Sequence, residues 1–152
     1  YDNKELNFKT VVALGSTSPI IKKLKLALIG YNNQISVQIG KNHLYELYNS
    51  SLLAIGAPGL SQSERLLMGC PTILLPQNSM QKILIENWVD NKCAISSKVS
   101  LIALRASIFK IINDKELRKK IIINGKRMVD GKGARRVAKF IVKEGLKDKN
   151  QI

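Results

Sequence analysis

The sequence predicts an α/β fold, a Rossmann-like parallel sheet with helices on both faces. Three observations carry that expectation. Short Val-, Ile- and Leu-rich runs alternate with segments of helical periodicity, the pattern of a parallel sheet covered on both sides. Three runs end at Gly15, Gly56 and Pro76, just before a new helical segment. Of the 152 residues, 45% are apolar and only 5% aromatic, which fits an aliphatic interior. Ligands on such sheets sit at the carboxyl ends of the strands, so the first, third and fourth strands are expected to converge on one mouth.

Val11 to Leu14 reads as the first strand, followed by Gly15-Ser16-Thr17-Ser18-Pro19. Ser18 before Pro19 predicts a helix start, because Ser caps and Pro tolerates the first helical position. Ile20, Leu24, Ala27 and Leu28 form one apolar stripe, which Gly30-Tyr31-Asn32-Asn33 breaks. Ile35, Val37 and Ile39 alternate with polar residues and read as a strand ending at Gly40. Leu44 to Tyr48 is a brief helix, and Leu52 to Ile55 a buried strand. A helix begins near Ser61. The prolines of Pro71-Thr72-Ile73-Leu74-Leu75-Pro76 bracket another buried strand. Ser79 to Asp90 is expected to be helical and Cys93-Ala94-Ile95 a short edge strand. From Ser100 on the signal is helical, over Leu101 to Ile112, Lys115 to Val129 and Gly133 to Lys147.

The length predicts one domain over residues 1–152, with room for a proper core. No apolar run approaches the ~20 residues of a membrane span. The polar opening Tyr1-Asp2-Asn3-Lys4-Glu5 has neither a secretory pattern nor an initiator Met, which predicts a piece of a longer, cytoplasmic protein. Cys70 and Cys93 lie in apolar surroundings and read as small core residues of a reducing compartment. His43, the only histidine, argues against an internal Ser-His-Asp triad or a His-based metal site, and reads as bordering the helix at Leu44. No metal, cofactor or catalytic residue is expected within the chain.

The formal net charge is +14, and 13 of the 25 Lys and Arg residues follow Asp114. They mix with apolar residues at helical spacing, and Phe140 is the sole aromatic there able to stack on a base. Solvated helix faces account for this better than nucleic-acid binding does, so no nucleic-acid partner is expected.

Gly56-Ala57-Pro58-Gly59-Leu60-Ser61-Gln62-Ser63-Glu64-Arg65 carries the most chemistry. A glycine turn between strand and helix lets backbone approach a ligand, and the free N–H groups of a helix start suit a phosphate. Glu64, about one turn in, can accept hydrogen bonds from two sugar hydroxyls. Together these residues describe a nucleotide-sugar pocket. The plainer alternative is a packing turn in which Ser61 is the N-cap and Glu64 completes a capping box.

The spacing Gly56-Ala57-x-Gly59-x-Ser61-x-x-Glu64-Arg65-x-x-x-Gly69-x-Pro71-Thr72, with Gln81 beyond it, resembles the nucleotide-sugar half of GT-B proteins. It looks most like the UDP-sugar hydrolase of pseudaminic acid synthesis and its polysaccharide-biosynthesis relatives. Val129-Asp130-Gly131-x-Gly133-Ala134-x-Arg136-Val137-Ala138 resembles the segment that closes many of these proteins. The resemblance runs from about Lys9 to Val142. It implies that Gly59, Leu60 and Ser61 meet the diphosphate, that Glu64 holds the ribose, and that Gln81 reaches the sugar or phosphate side. Gly15, Ser16 and Thr17 would form a second such turn. It further implies a UDP-sugar substrate and an N-terminal half-domain, absent here, that supplies the catalytic histidine. Pro58, Leu60, Met80 and Ser18 depart from the family's usual Gly, Ser, Asn and Asp. A glycosyltransferase half, or a module that kept the fold and lost the ligand, are the alternatives. For Asp130 to Arg136 the favoured reading is a glycine-rich joint between two helices with a local salt bridge.

Overall fold

The structure is a computed structural model that describes residues 8–31 and 34–149. It divides into two compact units, with the boundary between Leu44 and Tyr45. The first holds β1 (Thr10–Leu14), α1 (Ile21–Ala27) and β2 (Ile35–Ile39). β1 and β2 pair in parallel from Thr10↔Ile35 to Leu14↔Ile39. Helix α1 starts later than the sequence suggests. Its N-cap is Ile20, with no side-chain cap, because Ser18 is used in turns: its N–H donates to the Gly15 carbonyl and its carbonyl accepts from Ile21.

The second unit runs α2 (Tyr45–Ser50), β3 (Ala54–Gly56), α3 (Leu60–Leu67), β4 (Thr72–Leu74), α4 (Ser79–Asp90), β5 (Ile95–Ser96), α5 (Leu101–Asn113), α6 (Lys115–Met128) and α7 (Gly133–Lys149). Its sheet has the order β3-β4-β5, all parallel, with β5 on an edge as expected. The ladder is therefore two sheets, β1-β2 and β3-β4-β5, where the sequence suggested one. β4 is wholly buried, whereas Leu52 and Ile55 beside and within β3 are exposed. The apolar run Leu52 to Ile55 is thus only partly a core strand.

The core of this unit sits on β4. Ile73 packs with Ile111 of α5 and Ile121 of α6, all three fully buried. Each contributes about 1.5–3 kcal/mol by leaving water. Leu74, on the next position of β4, packs instead with Ile85 of α4 and Ala94. Alternate strand residues face opposite ways, so helices cover both faces of this sheet. Cys70 and Cys93 are buried and free, as their sequence surroundings suggested.

Helix ends are fixed by local chemistry. The side chains of Asn78, Ser100 and Asp114 accept the N3 N–H groups of α4, α5 and α6. Arg118 donates to the carbonyls of Ile111 and Ile112, closing the α5–α6 corner. At the end of α3, the N–H of Gly69 reaches the Leu66 carbonyl and that of Cys70 the Arg65 carbonyl. This paired C-cap needs a left-handed residue, and Gly69 supplies it with φ +70°. Asp130 and Arg136 form the expected local ion pair at 2.6 Å, in solvent. No helix among the described residues is long and apolar enough to cross a membrane.

Candidate functional site

Strands β3 and β4 end side by side, with Gly56 opposite Leu74. The β3–α3 turn and the β4–α4 loop therefore leave the same edge of the sheet, as expected for the third and fourth strands. Gly15, Ser16 and Thr17 belong to the first unit, where they are exposed at the end of β1.

Gly59 is the N-cap of α3, in an extended conformation, and no side chain caps the helix start. The capping-box alternative fails on this point, since Ser61 lies inside the helix rather than at its cap. An uncapped start leaves its first N–H groups to solvent or to an anion. Leu60 is 89% exposed, and Ser61 and Glu64 are exposed on the first turn and a half. Pro58, buried within the turn, offers no N–H.

The Ser61 hydroxyl lies close to the phenol of Tyr48 on α2. Burial raises the Tyr48 phenol above its ordinary range, partly offset by the nearby Arg65 cation, with the Glu64 carboxylate pushing it up further. Tyr48, Ser61, Glu64 and Arg65 thus share one neighbourhood. Beneath it, Arg65 is only 5% exposed. Its Nη2 donates to the Ala57 carbonyl at 2.7 Å and its Nε to Gln62 Oε1 at 3.1 Å. Burial lowers the Arg65 pKa. Burial also pushes the Cys70 thiol up to about 11, against the pull of Arg65.

Gln81 lies on the first turn of α4, where its N–H donates to Asn78 Oδ1 at 3.0 Å. Its own Oε1 accepts the Gln77 N–H at 2.9 Å, which ties the side chain to the β4–α4 loop. Among the described residues no cluster of three or more His, Cys, Asp or Glu is placed to hold a metal ion. Two open surface depressions lie along α5 and α6, bordered by Asp114 and Glu116, and neither includes a residue of the β3–α3 turn.

Sequence reasoning placed Gly59, Leu60, Ser61 and Glu64 together correctly in one turn and helix. It missed Tyr48 and Gln62, and it read Arg65 only as part of a motif. The spacing Gln62, Arg65, Leu66 marks an inward helix face, which was the signal available for Gln62 and Arg65. Nothing in the sequence marks Tyr48.

Solved structures resemble this chain across most of its length. A glycotransferase of kitacinnamycin matches 90% of it with TM-score 0.60 at 14% identity. The fold is that of a GT-B half. WaaG, a glycosyltransferase involved in lipopolysaccharide biosynthesis, matches 84% of the chain with TM-score 0.61 at 13% identity. A UDP-N-acetylglucosamine 2-epimerase matches 79% with TM-score 0.57 at 11% identity. At these identities the likeness is one of fold. The chain spans 43%, 44% and 40% of the three matched chains, so it corresponds to less than half of each. No family model matches the chain, and no curated protein matches it significantly.

Proposed function

We propose that this chain is the nucleotide-sugar-binding half of a UDP-sugar hydrolase. The observation that carries the reading is the β3–α3 turn: an uncapped helix start at Gly59 with an exposed carboxylate, Glu64, one turn on. The N–H groups of Leu60 and Ser61 would meet the diphosphate, where the helix dipole favours negative charge by about 0.3–1 kcal/mol. Glu64 would accept the ribose hydroxyls. Gln81, on the first turn of the neighbouring helix α4, would offer its amide to the sugar or phosphate. Gly15, Ser16 and Thr17 are proposed as further nucleotide contacts on sequence grounds alone. The chain assigns no catalytic residue to itself. Water activation falls to the other half of a longer, cytoplasmic protein.

Hydrolysis is assigned by the motif resemblance. Transfer of the sugar to an acceptor is the second reading, favoured by the glycosyltransferases among the structural neighbours. Both chemistries use such a half for the nucleotide. Thermal melting with increasing UDP tests the shared part, because a ligand that binds the folded state raises its melting temperature. An unchanged melting temperature at millimolar UDP would instead make the chain a module that kept the fold and lost the ligand. Release of free sugar, rather than a glycosylated acceptor, by the two-half protein decides between hydrolase and transferase.

A further inference from the structure

Helix α3 turns Gln62, Arg65 and Leu66 inward, and all three are buried. Arg65 is a cation taken out of water. Among the described residues no carboxylate stands within ion-pair distance of it. A buried charge without a counter-ion is costly unless its hydrogen bonds are well made and serve a purpose. Its two bonds both run back to the β3–α3 connection: to Gln62 on the first turn of α3, and to the carbonyl of Ala57. The guanidinium also lies against Gly56, where an added Cβ would collide with Arg65 Nη1. A side chain at position 56 would displace the guanidinium from this place.

Gln62 shows the same priority. Its side chain is fully buried, with Oε1 on Arg65 and Nε2 left without a hydrogen-bond partner among the described residues. An orphaned amide in the interior is a penalty the fold carries while keeping Oε1 on the guanidinium. Arginine's planar fork can bind two acceptors at once in fixed geometry. Lysine, with a single ammonium, cannot reproduce it.

We infer that Arg65 is a positioning residue, a buried clamp that ties Ala57 to Gln62 and so holds the Gly59-Leu60-Ser61 backbone in place for its ligand. The ligand part of the inference rests on the nucleotide reading above; the clamp does not. Arg65 acts through the turn and touches no ligand itself. It also sets a fixed positive charge behind the turn, where an anion would be held.

Arg65→Lys separates geometry from charge, since it keeps the cation and loses the fork. The test is residue-resolved amide hydrogen exchange on the whole chain, beside a UDP titration. With two charge-assisted bonds disturbed, exchange at the N–H groups bonded to the turn's carbonyls, Gln62 on Gly59 and Leu75 on Gly56, is expected to rise roughly tenfold. Protection at Ile73, Ile111 and Ile121 should stay at the parent value, and UDP affinity should fall by a similar factor. A merely structural arginine would lower protection everywhere in proportion, and that uniform loss would overturn the inference. Unchanged exchange at the turn would overturn it as well. Should Arg65→Lys fail to fold, Gln62→Met carries the same test, because it removes one acceptor and the orphaned amide while keeping the volume. If the parent chain binds no UDP, the nucleotide reading fails, and turn-specific exchange alone decides the clamp.

Discussion

Gly56 of β3 stands directly opposite Leu74 of β4 in parallel register, and the Leu75 N–H continues the ladder to the Gly56 carbonyl at 3.0 Å. That pairing brings the start of α3 and the start of α4 out of the sheet together. It makes Glu64 and Gln81 neighbours in topology although they are well separated in sequence.

Glu64→Ala is expected to weaken UDP binding by roughly 1.5–3 kcal/mol, as for lost charged hydrogen bonds. Glu64 is exposed and no helix cap depends on it, so the variant should keep the parent circular dichroism spectrum. Calorimetric titration of both proteins checks it; equal affinities would remove Glu64 from the site.

The chain by itself should turn over no nucleotide sugar. Its candidate residues bind rather than transfer protons, and its one histidine, His43, lies outside the β3–α3 and β4–α4 connections. Sugar release by the purified 152-residue chain, abolished by a substitution within it, would show that one half suffices.

Charge reversal at Lys119, Arg135 and Lys139 should leave UDP affinity within a few-fold. All three are exposed, none belongs to the proposed site, and exposed charges beyond ~8 Å are largely screened at physiological salt. Binding to random DNA should be weak and vanish near ~150 mM salt. Sub-micromolar DNA binding that the triple variant abolishes would point to a nucleic-acid function instead.

Cys70 predicts an alkaline loss of stability. Its thiol titrates near 9.0 when free and at about 11 in the fold, so the folded state favours the protonated form. The stabilisation is complete below pH 9 and disappears as pH rises through about 11. Denaturant midpoints measured from pH 8 upward should fall across that window in the parent and fall less in Cys70→Ala. Alkylation of Cys70 at neutral pH should be slow for the same reason.

The alternation of strands and helices was legible because each apolar run ends on a residue that ends a strand for a physical reason, such as Pro71 and Pro76 around β4. The α3 turn was legible because glycine, hydroxyl and carboxylate have distinct jobs at distinct offsets. Other features were hidden. Ser18-Pro19 carries a good helix signal, yet the turn through Gly15 and Ser18 claims those residues first, so α1 begins after Ile20. The division into sheets β1-β2 and β3-β4-β5 depends on strand pairing, which local pattern does not encode. Arg65 was legible only as part of a motif, and its burial follows from its helix face. Tyr48 reaches Ser61 from another helix, a tertiary relationship with no sequence spacing behind it.

The bond from the Gln77 N–H to Gln81 Oε1 has a consequence for recognition. An amide side chain normally reads both donors and acceptors by flipping end for end. Here Oε1 is held by the Gln77 N–H, which fixes the amide end for end and leaves Nε2 to give hydrogen bonds to whatever lies beside it. A phosphate oxygen or a sugar carbonyl suits such a one-way reader. Glutamate, though nearly the same shape and able to hold the loop, would repel a phosphate placed there.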